Sequence, residues 1–224
     1  MLKNILANFI GKFWSLLSVF VFVPLYIQIL GFDSYSVISF MLVIAGVMTV
    51  LDSGLTATLS REFARVDVSQ EMKSKTLNTL ESIYLLIIGV VIFGIFLLSD
   101  LIANSWLNTD AFTSEDLTWF LRLISIDIAF QMLFRFYVGG VLGLEKQVLA
   151  NVLQVGWGML RNGLVVIVIW LSPNLSTFFI WQAISTVVFA LVTKIYLQML
   201  LNESRSFDFS FSLQIDRQTL SRVW

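Results

Sequence analysis

The sequence predicts an all-α integral membrane protein with six transmembrane helices, on three observations. Hydrophobic residues make up 58% of the 224 and charged residues 13%, with a mean hydropathy of +0.86; soluble domains carry about 25% charged residues. The apolar residues fall into six runs, each close to the ~20 residues that cross a bilayer. Lysine and arginine gather on alternate connections between those runs.

The first span covers residues 13–30, with Asn8, Gly11, Ser15 and Ser18 on one face. It contains Pro24 and Tyr26, has no small-residue cleavage site, and is followed within a few residues by a second span, so it is not a signal peptide. The second span, 36–55, closes on Val-Leu-Asp-Ser-Gly-Leu. Two readings of its Asp52 stand. It is a counter-charge inside a polar interior, sharing a face with Ala45, Thr49 and Thr56, or it marks the interfacial helix end, with Ser53 and Gly54 opening the connection. Span three, 82–101, has only small residues such as Gly89 and Gly94 in its middle and is expected on the lipid side.

Span four, 117–138, carries Arg122, Asp127, Gln131 and Arg135. The last three follow i, i+4, i+8 and share one helix face. Gly139, Gly140 and Gly143 come next; they contain a GxxxG spacing but border a short connection and are read as a turn. In span five, 148–171, the residues Asn151, Gln154, Gly158 and Arg161 share a face, and in span six, 177–200, Gln182, Thr186, Thr193 and Tyr196 do the same. Beyond it, Phe207, Phe209, Phe211, Leu213 and Ile215 alternate with polar residues as an extended interfacial segment does.

Orientation follows from the basic residues. The segments before span one and after spans two, four and six hold Lys3, Lys12, Arg61, Arg65, Lys73, Lys75, Lys146, Lys194, Arg205, Arg217 and Arg222, while the other connections carry Asp33, Asp100, Asp110, Glu115 and Asp116. By the positive-inside rule both termini are expected in the cytoplasm. Three arginines remain inside spans, where a charge costs roughly 2.5 to 3.5 kcal/mol at the bilayer centre and therefore faces protein or a water-filled cavity. At about 1.5 Å per residue, Asp127 and Arg161 reach similar depths and are expected to pair; Asp52 and Arg135 both fall in the inner third. Arg122, ~8 Å from the outer boundary, also has the option of snorkelling to lipid phosphates.

With no Cys and no His in the chain, disulfides, thiolate chemistry and imidazole catalysis or metal ligation are excluded. No catalytic residue, cofactor, metal or nucleic-acid partner is expected.

The opening "NFIGKFWSLLSVFVFVPLYIQILGFDSYSVISF", followed by "VLDSGLTATLSREFAR", resembles the polysaccharide and O-antigen flippases (Wzx type) of the multidrug/oligosaccharidyl-lipid/polysaccharide exporter superfamily. The features that carry the resemblance are Asn8, Trp14, Pro24 with Tyr26, the Leu30-Gly31 break, and Asp52-Ser53-Gly54-Leu55 leading to Arg61, Glu62 and Ala64. It covers about the first 65 residues; the remainder agrees in helix count and loop lengths. Ser36 departs from the family, which tends to have Gly after the aromatic.

The resemblance implies a transporter of the bacterial inner membrane, not an enzyme. Its cargo would be an undecaprenyl-diphosphate-linked oligosaccharide, moved from the cytoplasmic to the periplasmic leaflet by two six-helix lobes rocking in alternating access. Residues 1–200 would form one lobe and 201–224 a cytoplasmic linker toward a second lobe, supplied by further chain or by a homodimer partner. Because arginine binds phosphate bidentately, the candidate cavity residues are Arg161, Arg135 and Arg122, with Asp127 and Asp52 as resting partners and Gln131 and Gln154 beside them. Of these the family motif itself carries over only Asp52, together with Gly54. A proton or sodium ion is the coupling ion the superfamily admits. Two alternatives remain: a drug or cation exporter of the same superfamily, which calls for an acidic cavity, and a membrane-embedded glycan transferase or polymerase, which calls for a catalytic constellation.

Overall fold

In a computed structural model of the chain, residues 20–105, 111–201 and 216 are described. The described residues are helical, without strands. Helix α1 is described over Phe20–Leu30; α2 is Phe32–Ala64, α3 Gln70–Ser105 and α4 Ser114–Gly143. A fifth span begins as α5 (Gln147–Gly158), passes through a π-helical turn (Met159–Leu164) and ends as α6 (Val165–Leu171), before α7 (Leu175–Leu201). Five helical segments among the described residues are long and apolar enough to cross a membrane, the pattern of a multi-pass membrane protein. The polar face expected on residues 8–18 and the extended segment 207–215 lie outside the described residues.

Local chemistry explains the breaks. Gly31 joins α1 to α2 at φ 86° and ψ 166°, a conformation essentially confined to glycine. A capping box starts α4: the Thr113 hydroxyl accepts from the Asp116 N–H, and the Asp116 carboxylate accepts from the Thr113 N–H. Pro173 has no N–H and restricts the residue before it, so the fifth span ends at Ser172. Asn174 then accepts from Ser176 N–H at the start of α7. At the opposite end the buried Lys73 ammonium donates to Phe63 O at 2.7 Å, capping the last turn of α2 where cations are favoured.

The chain alternates in direction, because Gly31, Ala111, Phe112, Pro173 and Asn174 surround one surface depression. Central to the bundle is α4, packed on α7, α3 and α2. Two apolar clusters share it. One, toward the end holding Gly31, gathers Tyr26, Met41, Phe120, Leu121, Ile124, Val165 and Phe179; the other gathers Leu59, Phe63, Leu80, Tyr84, Phe136, Tyr137 and Leu197. On α4 the first cluster ends at Ile128 and the second begins at Ala129, so Asp127 and Gln131 straddle the seam. The C-terminal half of α3 exposes Val90, Phe93, Leu97 and Leu101, as expected for a lipid-facing span.

Two expectations need correction. Helix α2 does not end near Leu55 but runs on to Ala64, so Ser53 and Gly54 open no connection. The Gly139–Gly140–Gly143 cluster is not a turn: it forms the last turns of α4 against α2 and α7. A Cβ on Gly139 would meet Thr56 Cγ2 at 2.5 Å, one on Gly140 would meet Leu197 Cδ2 at 2.8 Å, and one on Gly143 would run into the Ser60 carbonyl. Small residues let the backbones approach.

Candidate functional site

The carboxylate of Asp127, 1% exposed, gathers donors from three elements. Gln131 Nε2 on α4 donates to Oδ2 at 2.8 Å, Arg161 on the π turn donates to the same oxygen at 2.9 Å, and Thr186 on α7 donates to Oδ1 at 2.6 Å. The Thr186 oxygen also lies 2.9 Å from Gln182 O; a hydroxyl has one proton, and the charged acceptor makes the stronger bond. Buried charge is tolerated here because it is paired and hydrogen-bonded. The expected Asp127–Arg161 pair is therefore present.

Arg161 is held by an unusual backbone. In a π turn each N–H bonds five residues back, which inserts an extra residue into the helix and shifts the phase of the residues on its C-terminal side relative to those before it. Side chains from two other helices pin the three successive carbonyls of this turn: Trp181 Nε1 donates to Leu160 O at 2.9 Å, Gln182 Nε2 to Arg161 O at 3.2 Å and the Tyr26 hydroxyl to Asn162 O at 2.8 Å. The guanidinium lies over the Trp157 ring, 5.1 Å from its centroid, a cation–π contact. Arg161 Nε and Gln182 Oε1 are buried without partners among the described residues. Arg161, Gln182, Phe22, Tyr26, Tyr35 and Phe178 line a cavity of about 160 Å³. Such a site presents a cation and an aromatic wall to a ligand, with Asp127 holding the cation when no ligand does.

The other candidates separate. Gln154 is exposed and bonds back to Ala150 O at 3.3 Å, so it does not join the Asp127 cluster. Arg122 lies at the far end of α4, over the Phe96 ring. Asp52 and Arg135, read at the same depth, take different hydrogen-bond partners, and the buried Asp52 lies inside α2 and not at a helix end. Asp52, 6% exposed, accepts from Thr56 at 2.7 Å and from the Tyr84 hydroxyl, while the partly exposed Arg135 donates to the Thr49 hydroxyl. On α7 the polar face holds Gln182, Thr186 and Thr193 buried, but Tyr196 is exposed.

The largest omission of the sequence reading is a second buried ion pair. Lys194 Nζ on α7 lies 2.9 Å from Glu81 Oε1 on α3, and both are essentially unexposed; the Tyr137 hydroxyl on α4 donates to the same oxygen. Lys194 therefore does not belong among the cytoplasmic charges, and its position within the run 177–200 is the signal that it faces protein. No group of three or more metal-ligating side chains occurs among the described residues. The chain matches no protein-family model, no curated protein and no solved structure.

Proposed function

We propose that the chain is a transporter lobe of the flippase type. It would carry an undecaprenyl-diphosphate-linked oligosaccharide from the cytoplasmic to the periplasmic leaflet of a bacterial inner membrane, paired with a second six-helix lobe. The observation that carries the reading is a buried arginine, Arg161, held by a carboxylate yet lining a cavity with aromatic walls. A diphosphate head group cannot enter hydrocarbon unaided; in exchange for Asp127, Arg161 offers it a bidentate donor set. Aromatic residues such as Tyr26 and Phe178 suit the apolar faces of sugar rings. Asp127, released from Arg161 as cargo binds, would take up the coupling ion, a proton or sodium.

The test replaces Arg161 in the cell that makes the protein. Arg161→Ala should abolish surface glycan display while immunoblots show unchanged protein, and Arg161→Lys, which keeps the charge but loses the fork, should restore it only in part. Normal display in Arg161→Ala would sink the assignment.

A further inference from the structure

A second polar pocket lies at the end of the bundle that holds Gly31, between the last turns of α3 and the first turns of α4. Asp100, Ser114, Glu115, Thr118, Trp119 and Arg122 line about 250 Å³ of it, less than the ~300 Å³ from which pockets for drug-sized ligands start. On α4 the residues Trp119, Arg122 and Ile126 follow i, i+3, i+7 and form the outward stripe of an otherwise buried helix; Trp119 and Ile126 are 49% and 37% exposed. Beside them α3 shows Phe93, Leu97 and Leu101 to the surroundings.

Among the described residues Arg122 has no carboxylate in ion-pair contact. Its guanidinium carbon stands 4.7 Å from the Phe96 ring centroid, and its Nε is buried with no acceptor among the described residues. Neither carboxylate in the pocket pairs with it: Asp100 accepts from the Thr118 hydroxyl at 3.0 Å, and Glu115 is exposed to the opening. The pocket thus keeps one positive and two negative groups apart. A simple phosphate would gain Arg122 but meet both carboxylates, and a simple amine would meet the reverse conflict. A zwitterion with phosphate and primary ammonium at its two ends satisfies all three charges.

We propose that this pocket binds the head group of a membrane phospholipid carrying phosphoethanolamine. Arg122 takes the phosphate by charge-assisted hydrogen bonds, Asp100 and Glu115 take the ammonium, and the acyl chains run along Phe93, Leu97 and Leu101. Trp119 sits where tryptophans gather, at the level of the head groups. The site is structural or regulatory lipid binding, separate from the Arg161 cavity. It rests on the membrane-spanning reading of the helices and not on the flippase one.

The test is native mass spectrometry of the purified full chain in detergent, offered phosphatidylethanolamine, phosphatidylglycerol and phosphatidylcholine with identical acyl chains. The wild type should retain phosphatidylethanolamine about tenfold better than either competitor, the scale of one charge-assisted bond. Arg122→Gln should erase that preference, and Glu115→Gln, at an exposed position that leaves folding intact, should weaken it. Circular dichroism checks that each variant folds; if Arg122→Gln does not, Glu115→Gln decides alone. Equal retention of the three lipids, or a preference unchanged in the decisive variant, would overturn the proposal. So would a wild-type preference for phosphatidylglycerol, the mark of a phosphate clamp, or for phosphatidylcholine, whose ammonium has no N–H to give the carboxylates. Displacement of the lipid by soluble glycerophosphoethanolamine at equal concentration would assign the pocket to a soluble ligand instead.

Discussion

Lys194→Met should unfold the protein more readily than loss of any exposed charge. The ammonium is fully buried and pairs with Glu81, so its removal strands a carboxylate that is 1% exposed with the Tyr137 hydroxyl beside it. Breaking a buried pair from one side costs about 3 to 5 kcal/mol, whereas replacing both partners by apolar groups is often neutral. The expected pattern is a large fall in melting temperature in detergent for Lys194→Met and near-recovery in Lys194→Met/Glu81→Leu. Tryptophan fluorescence during heating measures both. A single variant within about 1 kcal/mol of wild type would show that leaving the Glu81 carboxylate without its ammonium is not costly, and would remove the buried-pair argument.

Gly143→Val should break the packing of α4 on α2. A Cβ at this position would meet Phe63 Cβ at 2.8 Å and Ser60 Cα at 2.9 Å, as well as the Ser60 carbonyl; most of these atoms belong to or adjoin backbone and cannot swing aside. Overpacking of this kind costs about 1 to 3 kcal/mol or more, and valine adds two further methyl groups to the clash. The control is Gly89→Ala on α3, where nothing lies within 4 Å of an added Cβ; there the alanine should stabilise the helix by up to about 1 kcal/mol. Equal melting temperatures for Gly143→Val and wild type would remove the close-approach argument.

Individual residues show why some features were legible and others were not. Asp127 and Arg161 could be paired from depth alone, since 1.5 Å per residue is a property of any helix and neither charge could face lipid. Thr186 was placed on the correct face for the same reason. The π turn was not legible: it depends on Tyr26, Trp181 and Gln182 reaching the carbonyls of residues 160–162, and those donors come from two other helices, one of them 136 residues away. Gly139, Gly140 and Gly143 carry the spacing of a packing motif, yet the partner surface, Thr56 to Phe63, falls beyond the apolar run that ends at Leu55, where Ser53 and Gly54 read as the opening of a connection.

What the sequence by itself determined is the class of solvent and the division of the chain into several apolar helices long enough to cross it, because apolar length and charge cost act residue by residue. Only the tertiary structure decided which charges neutralise one another. Asp52 turned to Tyr84 and Thr56 and not to Arg135; Glu81 found Lys194; Arg122 was left with an aromatic ring. Electrostatic pairing inside a low-dielectric bundle is settled over a few ångströms, and those distances exist only once α2, α3 and α7 have packed around α4.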